Sequence, residues 1–297
     1  MKSISRTTRR ITVLTLALAL VGALMPAAGA APHHKNFTAS LDQSVSVAGM
    51  DSTLTLKVTN TSKNTKLGAF RLDVPGAFEV LGTGSIPDWT VTVENGDILA
   101  IANKPPKGLD PGKSLTLTID VRNPLQNGDT TYDFGIEARQ ANHFKGAGND
   151  LNYVGGPLAL TITGSAVACS GSSCSTSFNE NVTALSVAAT CQDSNCGILT
   201  ADLGNEYCRG NESCADRAAF WNPPAGAKGF VEITLTIPKH EVDGKPKFFI
   251  AKTIDDKAKE CGSKKAALKC TYKVTKKHGK WIIKAWVEAG DPRGFVS

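Results

Sequence analysis

The densest source of reactive side chains is a set of eight cysteines, none of them before residue 169. They form four close pairs: Cys169 with Cys174, Cys191 with Cys196, Cys208 with Cys214, and Cys261 with Cys270. Clustered thiolates can hold zinc, but zinc ligands usually lie two to four residues apart and converge four to a metal. Here four, four, five and eight residues intervene, and no histidine lies among the first three pairs. An even count in an exported chain reads instead as a disulfide framework. Eight cysteines allow about a hundred pairings, so connectivity stays open. Four local bridges are the most economical arrangement, because each pair brackets a short turn rich in Ser, Gly, Asn or Lys. Each bridge would add about 2–3 kcal/mol by restricting the unfolded chain. Cysteines paired in this way supply no nucleophile.

The second concentration is positive charge. Residues 239–284 hold 14 lysines against five acidic residues, a balance of +9, whereas residues 31–238 balance to −6. Lys239, Lys245, Lys247, Lys252, Lys273, Lys276, Lys277, Lys280 and Lys284 fall on or near what read as adjoining strands. Such a field attracts polyanions: wall teichoic acid, acidic polysaccharide, an anionic membrane surface or nucleic acid. Lysine without arginine argues against sequence-specific nucleic-acid readout, which uses bidentate contacts. The residues assigned to polyanion binding are Lys273, Lys276, Lys277, Lys280 and Lys284. Lysines also guard exposed edge strands against aggregation, and both readings stay open.

Other chemistry is sparse. The sequence has no Gly-x-Ser-x-Gly elbow, no His-Glu-x-x-His and no phosphate-binding glycine loop. Of five histidines, His33 and His34 lie near a fraying terminus, where Pro32 lacks the N–H that copper binding would need. His278 suits a turn, which leaves His143 and His240 as bases without evident partners. Asp255, Asp256 and Glu260 could serve glycoside hydrolysis only across a cleft of suitable width, and read more simply as a solvated loop. The Gln140–Asn152 segment is rich in oxygen donors, yet Asp150 is its one acidic group. It therefore reads as a structural loop and not a calcium site. No cofactor is expected.

The elements that must position these groups are strands. From Phe37 to about Gly164 apolar residues alternate, as in Leu54, Leu56 and Val58, or Leu115, Leu117, Ile119 and Val121. Turn signals at Asn95 and Gly96, Asp110 to Gly112, Asn127 and Gly128, and Gly155 to Pro157 separate them. Strands of this length and spacing make a β-sandwich. Alternation returns in Val231, Ile233, Leu235 and Ile237, and from Phe248 through Ile254. In the last hairpin, His278 and Gly279 form a two-residue turn. That register sets Val274 opposite Ile283, Tyr272 opposite Ala285 and Lys273 opposite Lys284. The lysine pair is an unfavourable like-charge contact that an intervening anion would relieve. Asp202 to Lys228 breaks the pattern and reads as a long pinned loop, with one helical turn around Ala215–Phe220.

Residues 1–30 carry the marks of an export signal: Lys2, Arg6, Arg9 and Arg10, then an apolar run from Ile11 to Met25, then Ala28, Gly29 and Ala30. The run is about fifteen residues, short of the ~20 that a spanning helix needs, so the mature form should lack a transmembrane segment and be extracellular. The expected organisation is a signal peptide (1–30), a disordered mature N-terminus (31–36), a cysteine-free β-sandwich (37–164) and a disulfide-rich β domain (165–297).

The stretches DSTLTLKVTNTSKN (51–64), LDPGKSLTLTIDV (109–121) and EARQANHFKGAGNDLNY (137–153) resemble immunoglobulin-like modules of exported actinobacterial surface proteins. The resemblance implies a sandwich fold and no general catalytic role. The second half is similar to a C-terminal module of such proteins in the placing of Cys169, Cys174, Cys261 and Cys270, although the lysine-rich ending departs from that pattern. Together these readings give an all-β chain of two immunoglobulin-like sandwiches and three functional expectations. The first is a secreted, non-catalytic protein that engages an anionic envelope or matrix polymer through its lysine-rich end. The second is a structural or adhesive spacer that binds another surface protein. The third is a secreted polysaccharide-active enzyme.

Overall fold

The computed structural model describes residues 35–104, 107–146, 149–180, 183–192, 195–203, 218–224, 226–242, 244–251, 258–263, 269–289 and 293–296. The export signal, His33 and His34, Cys208 and Cys214 with their loop, Lys252, Asp255 and Asp256 lie outside the described residues. Among the described residues no helix is long and apolar enough to cross a membrane.

Up to Gly164 the chain forms β1 (Asn36–Leu41), β2 (Val45–Val47), β3 (Asp51–Asn60), β4 (Ala69–Asp73), β5 (Glu79–Thr83) and β6 (Trp89–Glu94). These are followed by β7 (Asp97–Ala102), β8 (Ser114–Arg122), β9 (Thr130–Arg139), β10 (Asp150–Tyr153) and β11 (Leu158–Thr163). Their order is β5-β8-β3-β1-β10-β9-β4-β7-β6, with β11 pairing both β2 and β9. Strict alternation explains the layering. In β8, Leu115, Leu117, Ile119 and Val121 are buried, while Thr116, Thr118 and Asp120 are exposed. The facing rows, including Leu54, Leu56, Val58, Phe70, Leu72, Ile98 and Leu160, close one core. Asn95 and Gly96 both take positive φ (56° and 92°), which lets two residues connect β6 to β7.

The second half contributes β12 (Ser165–Ala168), β13 (Ser173–Glu180), β14 (Thr183–Cys191), β15 (Ile198–Asp202), β16 (Ala218–Asn222) and β17 (Phe230–Pro238). After these come β18 (Phe249–Ala251), β19 (Lys259–Glu260), β20 (Cys270–Lys277), β21 (Lys280–Glu288) and β22 (Arg293–Val296). They make a six-stranded sheet, β12-β15-β16-β22-β18-β19, and a five-stranded sheet, β13-β14-β17-β21-β20. The two sheets enclose a core with Leu199, Trp221, Val231, Ile233, Leu235, Phe248, Ile250 and Ile283. The architecture is all-β, two immunoglobulin-like sandwiches with the disulfides in the second.

The helical turn expected around Ala215–Phe220 is not what its described part forms. Ala218–Asn222 is a strand paired on both sides, with β15 and β22. The reason is double burial. Ala219 and Trp221 face the second core, while Ala218 and Phe220 pack with Val47 and Met50 of the first half. A strand buried on both faces reads as a continuous apolar run, and AAFWN shows no alternation.

Gly164, at φ 86°, is the single residue between β11 and β12. Hydrogen bonds close the junction around it. Thr200 Oγ1 donates to Ala48 O (2.8 Å), Thr163 Oγ1 to Asp202 Oδ2 (3.0 Å) and Ser165 Oγ to Asn127 Oδ1 (2.7 Å), and the Ala166 N–H donates to Gln126 O (2.8 Å). Gly49 sits in the same seam at φ 69°, where an added Cβ would lie 2.7 Å from Ile198 Cγ2 and 2.9 Å from Ala166 Cβ. Gly49→Ala should therefore lower unfolding free energy by about 1–3 kcal/mol, through backbone strain and overpacking together. Gly76→Ala, with nothing within 4 Å of the added methyl, should change it by less than about 0.5 kcal/mol. Denaturant unfolding of both variants checks this.

Candidate functional site

The β20–β21 hairpin that carries the lysines is built from its turn outward. His278 and Gly279 lie at φ 48° and 72°, the pair of positive angles a two-residue turn requires. The register follows as the sequence implied, with Val274 opposite Ile283, Tyr272 opposite Ala285 and Lys273 opposite Lys284. Pairing with β17 extends the frame: Ile237 lies against Trp281, Thr234 against Lys284 and Glu232 against Trp286.

Strand parity then divides the five assigned lysines. Lys273, Lys277, Lys280 and Lys284 project on the outer, solvated face of the five-stranded sheet. Lys276 shares the opposite face with Tyr272 and Val274. Glu232 Oε1 on β17 accepts from Lys284 Nζ at 3.0 Å, on the side of Lys284 away from Lys273, so nothing described lies between the two opposed lysines. Glu232 lies 41 residues before Lys273 in sequence, and only the β17–β21 register reveals it.

The outer face has a definite composition. β13 contributes Ser173, Ser175 and Ser177; β14, Ser186 and Thr190; β17, Thr234 and Thr236. Against this hydroxyl background Phe230 and Trp286 are 41% and 38% exposed. The register makes them diagonal neighbours, since Phe230 pairs with Glu288 and Trp286 with Glu232. Lys284 separates this pair from Ile282, which lies between Lys284 and Lys280 on the same face.

At the other end of the hairpin, Cys261 and Cys270 are bridged. Beside them the Tyr272 hydroxyl donates to Glu260 Oε1 (3.1 Å), and Glu260 also accepts from Lys247 Nζ (3.3 Å). Burial, together with that bond to Glu260, raises the Tyr272 pKa above its ordinary value of 10.0. The remaining described cysteines form Cys169–Cys174 and Cys191–Cys196, so three of the four local bridges are present and the fourth pair lies outside the described residues. The Cys169, Cys174 and Cys196 sulfurs lie within 4.8 Å of one another, but all are engaged in bridges. The two loops are also stitched by backbone, Cys169 N–H to Gly197 O and Cys191 N–H to Ser172 O, both 2.7 Å.

The other sequence candidates do not converge. His143 is exposed and its Nδ1 accepts the Lys145 N–H; His240 is exposed 3.8 Å from Glu241. Asp150, the one acid of the Gln140–Asn152 loop, pairs with Arg139 (2.9 Å), while Phe144 of that loop lies under the Arg71 and Arg139 guanidiniums. That is a fold-closing contact. A groove of about 380 Å³ between Ser40–Ser44 and Gly156–Ala159 offers Asp42, whose carboxylate already accepts the Thr55 N–H.

No known family matches the chain, and no curated protein sequence does. Solved structures do. A non-cellulosomal cohesin from the archaeon Archaeoglobus fulgidus is 19% identical, with 43% of this chain and 91% of that one covered, at a TM-score of 0.30. A cohesin from a Clostridium thermocellum cohesin–dockerin complex is 12% identical over 46% and 98% of the two chains, at 0.34. An uncharacterised immunoglobulin-like protein from Nocardia farcinica is 18% identical over 43% and 98%, at 0.32. Likeness at this level concerns fold alone.

The pairing of Lys284 with Glu232 has a measurable effect. Glu232→Gln should leave Lys273 and Lys284 opposed and lower stability by about 0.5 kcal/mol at low salt. Roughly 1 M salt should remove most of that difference, and denaturant unfolding at both ionic strengths checks it.

Proposed function

We propose that this chain is an exported, non-catalytic binding protein that engages another surface protein through the outer face of its five-stranded sheet. The observation that carries the reading is the exposed Phe230 and Trp286 pair, set diagonally on a face whose other side chains are mostly hydroxyls and charged groups. Aromatic anchors inside a polar rim are the usual source of binding energy at protein interfaces. Disulfides fit an oxidising compartment outside the cytoplasm. Asp255 and Asp256, the acids a polysaccharide-cleaving activity would use, lie outside the described residues.

A second reading rests on a separate observation. Lys273, Lys277 and Lys280 lie along one margin of the same face, and among the described residues none is recorded with an acidic partner. That margin suits an anionic envelope polymer.

The two separate by experiment. Residues 31–297, immobilised, would be exposed to solubilised envelope material before and after protease digestion, across a salt series. The first reading expects retention that protease removes, that salt up to about 0.5 M leaves in place, and that Phe230→Ala with Trp286→Ala reduces at least tenfold. Retention that survives protease, falls with salt and is lost in a Lys273, Lys277, Lys280 and Lys284 to Gln variant would overturn it in favour of the polymer.

A further inference from the structure

Where β17 runs out, Lys239 turns across the mouth of the hairpin, and its N–H donates to Gly279 O at 2.9 Å. That bond sets Lys239 beside the hairpin turn, within electrostatic reach of Lys276. The Lys239 amine accordingly holds Lys276 below the ordinary lysine value of 10.5. Neighbouring ammonium groups repel, and among the described residues no carboxylate pairs with either. The nearest acid in sequence, Glu241, turns away. It is 4% exposed and both its oxygens accept the Ala184 N–H. Glu232 is committed to Lys284, whose side chain is on the other face of the sheet.

A second observation points to the same place. Trp281 is the cross-strand partner of both Lys276 and Ile237, on the same face as Lys276. Its indole N–H is buried and has no hydrogen-bond partner. A buried donor without an acceptor is uncommon in folded proteins. Lys239, Lys276 and Trp281 thus bring three donors from three chain segments to one end of the sheet, and none of the three is assigned an acceptor.

We propose that Lys239, Lys276 and the Trp281 indole N–H form one oxyanion site that takes a phosphate group. Three donors from separate segments suit a tetrahedral anion with several free oxygens better than a planar carboxylate with two. The same chemistry arrives either as free phosphate or as a phosphate of an envelope polymer. The site lies apart from the Phe230 and Trp286 face. It rests on the polymer reading only for the polymeric source of its ligand.

The test is an indole-resolved ¹H–¹⁵N titration of the oxidised chain, residues 31–297. Four tryptophans give four indole signals, and the signal missing from Trp281→Phe is that of Trp281. Inorganic phosphate, glycerol phosphate oligomers and acetate would be added at matched ionic strength. The expected result is a saturable shift of the Trp281 signal with phosphate, weakened about tenfold or more by Lys239→Gln with Lys276→Gln. The other three indole signals report that the variants remain folded. Saturation by free phosphate alone identifies the ion as ligand, and tighter saturation by the oligomer identifies the polymer. A Trp281 signal that does not move, that acetate moves equally, or that still moves in the double lysine variant overturns the proposal. Retention on envelope that depends on Lys273, Lys277, Lys280 and Lys284 while the Trp281 signal stays still would leave the polymer reading standing without this site.

Discussion

Burial of both faces of β15 and β16 is the constraint on which the rest depends. A sheet with one wet face can stand as the outer wall of a sandwich, but Leu199, Thr200, Ala201, Asp202, Ala218, Ala219, Phe220 and Trp221 are all buried. One set of side chains completes the core of the second half and the other set seals against Val47 and Met50. β15 and β16 are therefore a middle layer. Polar residues in that seam must be fully bonded, and Thr200, Thr163 and Asp202 meet the requirement by reaching across it. The outer side of β13-β14-β17-β21-β20, by contrast, faces solvent.

That division explains what the sequence made legible. The most regular strands with one wet face are legible: β3, β8 and β17 alternate cleanly, and the register of the last hairpin follows from the positive-φ turn at His278 and Gly279, whereas β13 and β14 gave no such reading. Nor did the middle layer. ILTAD and AAFWN lack a polar face to set a period, so β16 passed for loop and helical turn. The same blindness affected the lysines. Their positions on β20 and β21 were readable, but Glu232 and Phe230 belong to β17, and only the long-range pairing sets them beside Lys284 and Trp286. Lys276 was grouped with the others by composition, and parity separates it.

The disulfides follow a different logic from the sheets. Each described bridge closes a segment of five or nine residues, and Cys169–Cys174 and Cys191–Cys196 lock two neighbouring turns that are also joined by main-chain hydrogen bonds. Loop-closure entropy gains little from such short rings. Their effect is to fix the ends of β13, β14 and β20.

Short rings have a mechanical consequence. A disulfide that joins residues distant in sequence shelters the chain between them from an external pull, because the covalent bond carries the load. Here the described bridges withhold only three short segments from extension. Under tension the ladders themselves bear the force, and once they shear most of the described chain is free to pay out as slack. A chain tethered at one end and loaded at the other would yield by lengthening long before any covalent bond was stressed.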